Sequence, residues 1–255
     1  MGNLIMKRVK TTLFIGAALA ASFAVGSSAT ADSGPSLDPA VVNEIIVPGG
    51  SFDVTKTVNT PAIPPDPEIY FLTDTTGSMG SVINQVKADI NTIIADIVAE
   101  QPTAEFGLGQ YKDFPFDVFA YEHLVSIGGD VPGAVVGLSA GGGADGPEGQ
   151  FFALDQIANN TAGFSGDAGS TPIIVWIGDA PAHDPVCAAI SSLGYDITEA
   201  SVTADLVAAG YTVVALSTTT GYPNGLDDNP TFGATDYGAC GAPGGAAGQA
   251  TRIAN

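Results

Sequence analysis

The stretch DTTGSM, residues 74–79, places one carboxylate and two hydroxyl side chains at alternating positions directly after an apolar run. Because Asp74, Thr76 and Ser78 alternate along a turn, their side chains can converge on one point. Gly77 allows the backbone to turn tightly between them. Carboxylate and hydroxyl oxygens suit Mg²⁺, Mn²⁺ or Ca²⁺ far better than Zn²⁺ or copper. The pattern therefore predicts a site for a divalent cation.

Helix capping is the alternative interpretation of the hydroxyls, because Thr and Ser before a helix commonly satisfy free main-chain N–H groups. For Ser78 taken alone, capping is the favoured interpretation. Asp179, at the end of a second apolar run, changes the balance. Two carboxylates directed at one place repel each other unless a cation lies between them, so metal binding explains Asp74, Ser78 and Asp179 together better than capping does.

The segments around these residues alternate between strands and helices. Apolar runs typical of parallel strands covered on both faces occupy 69–74, 172–179 and 211–218, and a shorter strand pair occupies 105–111 and 118–124. Helical periodicity occupies 78–100, 147–160 and 196–210, the last with a capping-box spacing from Asp196 to Glu199. This order predicts an α/β fold with a doubly wound, mostly parallel, Rossmann-like sheet flanked by helices. Ligands of such folds lie beyond the carboxyl ends of the strands, where Asp74 and Asp179 are expected to meet.

Four segments resemble the von Willebrand factor type A (vWA) domain, in the order in which that family has them. DTTGSM resembles the family motif D-x-[ST]-x-S. The other three resemble the integrin beta-subunit version of the domain: FGLGQYKDFP (106–115), GADGPEGQFFAL (143–154) and VWIGDAPAH (175–183). The resemblance extends over essentially the whole of residues 68–255, so it implies a vWA domain there.

The resemblance also implies two metal sites. The family's metal-ion-dependent adhesion site would hold Mg²⁺ (or Mn²⁺) through Asp74, Thr76, Ser78, Glu148 and Asp179. An adjacent Ca²⁺ site would use Asp113, Asp145, Glu148 and the main-chain carbonyl of Pro147, although Gly143 stands where the family has an asparagine. A third family site is not expected, because Ser81 and Val82 stand where that site has acidic residues.

The ends of the chain predict export. Residues 1–31 combine basic residues at 7–10, an apolar core at 11–25 and the small-residue cleavage motif SSATA at 27–31, which is the pattern of a signal peptide. A non-cleaved anchor is the alternative, and both place the remainder outside the cell, secreted or at the cell surface. Residues 32–67 are expected to form a short β segment, with strands within 43–59, and a proline-rich linker at 60–67. The final segment GAAGQATRIAN resembles the region leading into the family's last strand, so that strand and the closing helix are expected to be missing from the sequence.

The charge of the chain excludes some classes of partner. The net charge is −20, and removal of residues 1–31 leaves 4 basic against 27 acidic residues, or −23. Such a surface repels nucleic acid and anionic lipid, so we expect neither nucleic-acid binding nor direct membrane insertion after signal cleavage. The two cysteines of an exported chain, Cys187 and Cys240, are expected to form a disulfide bond between loops at one end of the sheet.

The functional expectation is a non-enzymatic adhesion or protein-binding module. A partner's Asp or Glu would replace a water on the bound cation and bond to the metal directly. One alternative is a structural module in which the metal only stabilises the loops. A metal-dependent hydrolase is a further alternative, since Ser78, His183 and Asp179 are the residue types of a hydrolytic triad. Against the hydrolase, His183 lies four residues from Asp179 in the same loop, and no G-x-S-x-G motif surrounds the serine.

Overall fold

The computed structural model of this 255-residue chain describes residues 4–5, 36–38, 57–59, 66–114, 117–167, 169–241 and 244–254. The chain divides into two compact units, Met1–Ile63 and Pro64–Asn255. In the first unit, the described residues form short strands that pair antiparallel in the order β1-β3-β2: β1 (Leu4–Ile5), β2 (Ser36–Asp38) and β3 (Thr57–Asn59).

Most of the predicted N-terminal features lie outside the described residues. This holds for the signal peptide at 1–31 apart from β1, for the strands within 43–59 apart from β3, and for the linker at 60–65. The linker prediction is wrong at its last two residues, because Asp66 and Pro67 begin the first strand of the second unit.

The second unit is built on one five-stranded sheet of order β6-β5-β4-β7-β8. Its strands are β4 (Asp66–Asp74), β5 (Glu105–Tyr111), β6 (Tyr121–Val125), β7 (Ser170–Gly178) and β8 (Thr212–Ser217). All neighbours pair parallel except β5 and β6, which are antiparallel. The predicted α/β class with a mostly parallel sheet is confirmed.

Within the described residues, the α-helices that accompany the sheet are α1 (Ile83–Glu100), α2 (Val131–Val135), α3 (Gln150–Ala158), α4 (Ala188–Ser191), α5 (Glu199–Ala208) and α6 (Gln249–Ile253). A 3₁₀ turn, Gly77–Ser81, precedes α1, so the predicted helix at 78–100 starts in a tighter conformation. The capping-box prediction for α5 is wrong in its residues. Thr198 is the N-cap and pairs reciprocally with Ser201, while Asp196 accepts a hydrogen bond from the main chain of Ala188.

The two faces of the sheet bury separate apolar layers. Along β4, Ile69 and Phe71 pack with α1 and α2, whereas Tyr70 and Leu72 pack with α3, α5 and α6. This alternation follows from the period of two along a strand, and it explains why the strand is buried at nearly every position and apolar throughout Ile69–Leu72. The central strands are therefore held rigidly from both sides.

The strand order reverses at β4. From β4 the chain passes to β5 on one side of it, and later to β7 on the other side. The carboxyl ends of β4 and β7 therefore flank the switch point at which such folds form a ligand crevice. Asp74 is the last residue of β4 and Asp179 directly follows β7. Both carboxylates lie where the sequence places them.

A disulfide bond joins Cys187 and Cys240, with a Cα–Cα distance of 5.8 Å, as predicted. It links the segment after β7 to the long segment after β8, and its partners are 53 residues apart in sequence. Among the residues that the structure describes, no helix has both the length and the apolar character needed to cross a membrane.

Removing the disulfide should destabilise the second unit. For the double variant Cys187→Ser, Cys240→Ser we expect a loss of about 2–5 kcal/mol in the free energy of unfolding, because a closed loop of this length restricts the unfolded chain. Urea denaturation measures the difference, and reduced wild-type protein is the control, expected to match the variant. An unchanged denaturation midpoint would contradict this contribution.

Candidate metal centre

The loop after β4 is organised around the buried carboxylate of Asp74. Its Oδ1 accepts hydrogen bonds from the main-chain N–H and from the hydroxyl of Thr76, both at 2.7 Å. The N–H of Gly77 donates to the carbonyl of Gly142 at 2.9 Å. A Cβ on residue 77 would lie 2.8 Å from that oxygen, so glycine is required here by the close approach of two loops.

Hydroxyl groups connect the first loop to Asp179. Thr76 Oγ1 lies 3.1 Å from Ser78 Oγ, which donates to Asp179 Oδ1 at 2.9 Å. On the other side, Thr220 Oγ1 donates to Asp179 Oδ2 at 2.5 Å. Asp74, Thr76, Ser78 and Asp179 are therefore brought together, and their role as metal ligands remains a prediction. Thr220, in the loop after β8, is a member of the group that sequence reasoning missed.

Glu148 joins the group from a third segment of the chain. Its side chain is 4% exposed and hydrogen-bonds to Thr76. The backbone of Glu148 is held by a bond from its N–H to the carbonyl of Pro181 and by a β-bridge to Ala182. Gly143 allows the side chain to take this position, because a Cβ there would lie 3.0 Å from Glu148 Oε1. All five residues predicted for the adhesion site thus lie in one crevice.

The floor of the crevice depends on a second close approach. A Cβ on Gly178, the last residue of β7, would lie 2.2 Å from the hydroxyl of Tyr111 and 3.3 Å from the Cβ of Asp74. The Tyr111 hydroxyl in turn accepts a hydrogen bond from the indole N–H of Trp176 at 3.1 Å. The absent side chain at 178 lets the ends of the strands come together beneath the carboxylates.

The environment of the crevice disfavours the charged forms of its acidic side chains. Burial, helped by the nearby charge of Asp179, raises the pKa of Asp74 to about 7. Burial and the charges of Asp74 and Asp113 raise the pKa of Glu148 to about 11. Asp74 Oδ2 and Glu148 Oε2 are also buried with no hydrogen-bond partner. Buried carboxylate oxygens with open lone pairs, next to hydroxyls, form a donor set that fits a hard divalent cation such as Mg²⁺.

A second cluster lies beside the first and is also buried. Asp113, Asp145 and His183 each offer a ligand atom within 4.8 Å of the others, so the three could hold a metal ion. Asp113 and Asp145 belong to the predicted Ca²⁺ site, but His183 does not. Burial alone lowers the pKa of His183, yet its hydrogen bonds with the two aspartates outweigh burial and raise that pKa above its ordinary value. The predicted roles of the Glu148 side chain and the Pro147 carbonyl in this site remain predictions.

The residues of the alternative hydrolytic triad have other partners. Ser78 Oγ donates to Asp179, and His183 Nε2 lies 2.9 Å from Asp113 Oδ1 and 2.7 Å from the hydroxyl of Tyr237. Across the described part of the chain, no hydrogen bond joins Ser78 to His183.

Comparisons with known proteins place the chain only broadly. No family model matches it. A stretch of 123 residues is 31% identical to alpha-protein kinase vwkA from Dictyostelium discoideum, covering 46% of this chain and 19% of that protein. The crystal structure of the pilus adhesin SpaC from Lactobacillus rhamnosus GG, in its open conformation, is similar at 15% identity with a TM-score of 0.40, covering 63% of this chain and 25% of that one.

The chain therefore spans about a fifth of the curated relative and a quarter of the solved structure. The similarity to SpaC is too distant to bear on function. The similarity to vwkA and the sheet of four parallel strands with one antiparallel edge strand together support a vWA-like α/β fold.

The raised pKa values predict an unusual pH dependence for protein stripped of metal with EDTA. Asp74 and Glu148 keep protons in the folded state up to pH about 7 and about 11. In the unfolded chain they lose them near pH 4. The folded state thus binds more protons between these limits, and stability should fall as pH rises above about 4, by an amount on the order of a few kcal/mol.

Thermal melts of the metal-free protein between pH 4 and 8 measure this fall, and saturating Mg²⁺ should reverse or flatten it because a cation favours the charged carboxylates. Asp74→Asn, which is uncharged at every pH, is the matched control and should show a shallower dependence. Stability that rises steadily from pH 4 to pH 7 without metal would show the opposite sign.

Proposed function

We propose that this protein is an exported, non-enzymatic adhesion or protein-binding module that engages an acidic group of a partner through Mg²⁺ or Mn²⁺. The observation that carries the proposal is the convergence of three loops on buried carboxylate oxygens without partners, those of Asp74 and Glu148, beside the hydroxyls of Thr76 and Ser78. The resemblance to the integrin beta type of vWA domain supports the same reading of these residues.

The donor set explains why a partner would bind the metal. Mg²⁺ requires six oxygens in near-octahedral geometry and keeps several waters in most protein sites. The loops supply the carboxylates of Asp74, Glu148 and Asp179 and two hydroxyls, and the Asp179 oxygens are already engaged by Ser78 and Thr220. A shell built in this way leaves room for an outside oxygen. When bound, the cation supplies a Lewis-acidic centre for a partner's Asp or Glu.

The charge of the molecule makes the cation the element of recognition. The net charge of −20 repels an acidic partner everywhere else on the surface. At the crevice, a divalent ion inverts the sign of the local field. The amino terminus of α3, at Gln150, directly follows Glu148 and Gly149, so its dipole also favours an arriving anion. Specificity for acidic partners then follows from where the metal lies.

The Cys187–Cys240 disulfide supports the extracellular part of the proposal, because such bonds persist in oxidising compartments. Secretion or display at a cell surface also accords with the predicted signal peptide. On this proposal nucleic acid is not a partner.

Metal binding is tested by titration calorimetry with Mg²⁺ and, separately, Ca²⁺. Wild-type protein should bind Mg²⁺, and Asp74→Ala should abolish that heat because it removes a carboxylate from the centre of the site. Asp96→Ala, which removes an exposed carboxylate on α1, is the matched control and should bind as wild type does. If neither ion produces heat with the wild-type protein, the adhesion proposal and its structural alternative both fail.

Ligand binding is tested with a displayed library of short peptides selected on the protein in Mg²⁺. Selected peptides should contain Asp or Glu, lose binding in EDTA, and lose at least about tenfold in affinity when that residue is changed to Asn or Gln, since a neutral amide is a poorer metal ligand. Peptides that bind equally well in EDTA and after substitution of their acidic residue would show that the metal has a purely structural role.

A further inference from the structure

We propose that Asp113, Asp145, His183 and Tyr237 form a mixed nitrogen–oxygen site for a first-row transition-metal ion of the Zn²⁺ type, in the place where the family resemblance implies Ca²⁺. This site is separate from the crevice of Asp74, and it does not depend on whether that crevice binds a partner.

The first observation is the crowding of oxygens around one ring nitrogen. His183 Nε2 lies 2.9 Å from Asp113 Oδ1, 3.2 Å from Asp145 Oδ1 and 2.7 Å from the Tyr237 hydroxyl. One imidazole nitrogen carries at most one hydrogen and can satisfy one acceptor. The three oxygens instead lie about as far from this nitrogen as neighbouring ligands of tetrahedral zinc lie from each other, because bonds of about 2.0–2.1 Å place such ligands roughly 3.3 Å apart.

The second observation is an oxygen without a partner at the same point. Asp145 Oδ1 is buried and has no hydrogen-bond partner apart from its ion-pair contact with His183 Nε2 at 3.2 Å, and the Asp145 side chain is only 3% exposed. The side chains of Asp113 and His183 are 0% and 1% exposed. Two aspartates removed from water need a compensating cation. A divalent ion among these atoms would bond the open oxygen and balance both charges.

Hydrogen bonds from the main chain also fix the ligand side chains, as is usual in metal sites. Asp113 Oδ2 accepts from the main-chain N–H of Ala144 at 2.9 Å, and Asp145 Oδ2 accepts from that of Thr235 at 2.5 Å. The N–H of His183 donates to the carbonyl of Glu148 at 3.0 Å. These bonds fix the side chains in a converging arrangement before any ion arrives.

Calcium does not suit this donor set. Ca²⁺ takes six to eight oxygens at 2.3–2.6 Å, whereas imidazole nitrogen is a ligand of zinc and its neighbours in the first transition row. Gly143 contributes no side-chain oxygen where the family has an asparagine, and the Glu148 side chain hydrogen-bonds to Thr76 in the other crevice. The site therefore has two fewer oxygen donors and one additional nitrogen donor, and this change favours a transition-metal ion over Ca²⁺.

The test measures Zn²⁺ bound to EDTA-treated, dialysed protein, with excess Mg²⁺ present to fill the Asp74 crevice, in both wild-type protein and the Asp74→Ala variant. One Zn²⁺ per chain is expected in both, with no displacement by millimolar Ca²⁺. His183→Gln should weaken Zn²⁺ binding by more than the roughly 10–100-fold that loss of an outer partner costs. The other histidine supplies a matched control, and His123→Gln should bind Zn²⁺ as wild type does.

Co²⁺ serves as the spectroscopic probe. The wild-type protein should give intense visible absorption from a low-coordinate site, and His183→Gln should lose it. If His183→Gln does not fold, Asp145→Asn, which preserves the size of the side chain, should show the same loss.

Three results would overturn the proposal: no Zn²⁺ bound by the wild type, Ca²⁺ displacing Zn²⁺ at similar concentration, or unchanged Zn²⁺ affinity in both ligand variants. The first result would identify His183 as a protonated partner of the aspartates. None of these results bears on Mg²⁺ binding at Asp74, so the two proposals fail independently.

Discussion

Several acidic side chains lie close together at the carboxyl ends of the parallel strands, and the arrangement of the surrounding loops depends on this constraint. Asp74 terminates the most deeply buried strand, and Asp179 and Glu148 are buried beside it. Burying three acids in one crevice is unfavourable, as the raised pKa values of Asp74 and Glu148 show. The loops are nevertheless arranged so that hydroxyls and main-chain N–H groups hold these acids close together. Stability alone gives no reason for a fold to bury three acids together without a cation.

The apolar layers supply the rigidity that keeps this arrangement in place. Both faces of β4 and β7 are packed against helices, so the strand ends cannot separate to relieve the repulsion. Two glycines complete the effect. Gly77 lets one loop approach Gly142, and Gly178 lets Tyr111 lie directly under the acids. The packing of the apolar layers thus offsets the repulsion between the carboxylates, although the two lie in different parts of the domain.

Sequence patterns predicted the fold and the meeting of Asp74 and Asp179 because both follow from general rules, whereas Glu148 was expected only from the family resemblance. Apolar runs gave the strands, and the rule for switch points in α/β sheets gave the meeting of Asp74 and Asp179. Thr220 was missed because nothing in the run STTTG (217–221) indicates which hydroxyl reaches Asp179. Asp113 and Asp145 of the second cluster were expected from the family resemblance, but His183 and Tyr237 were missed, because Tyr237 comes from a long irregular segment far along the chain. The helices of four or five residues are too short to show any periodicity, and the cap of α5 was misassigned by two residues.

The covalent link between Cys187 and Cys240 has a mechanical consequence for the folded domain. Tension applied to the two ends of the chain cannot extend the stretch enclosed by that bond, which spans a sequence separation of 53 residues and includes Thr220 and Tyr237. At about 3.3–3.6 Å per extended residue, roughly 180 Å of contour length stays hidden under load. Two loops that border the two candidate metal sites therefore stay tethered to each other even if the surrounding sheet begins to come apart.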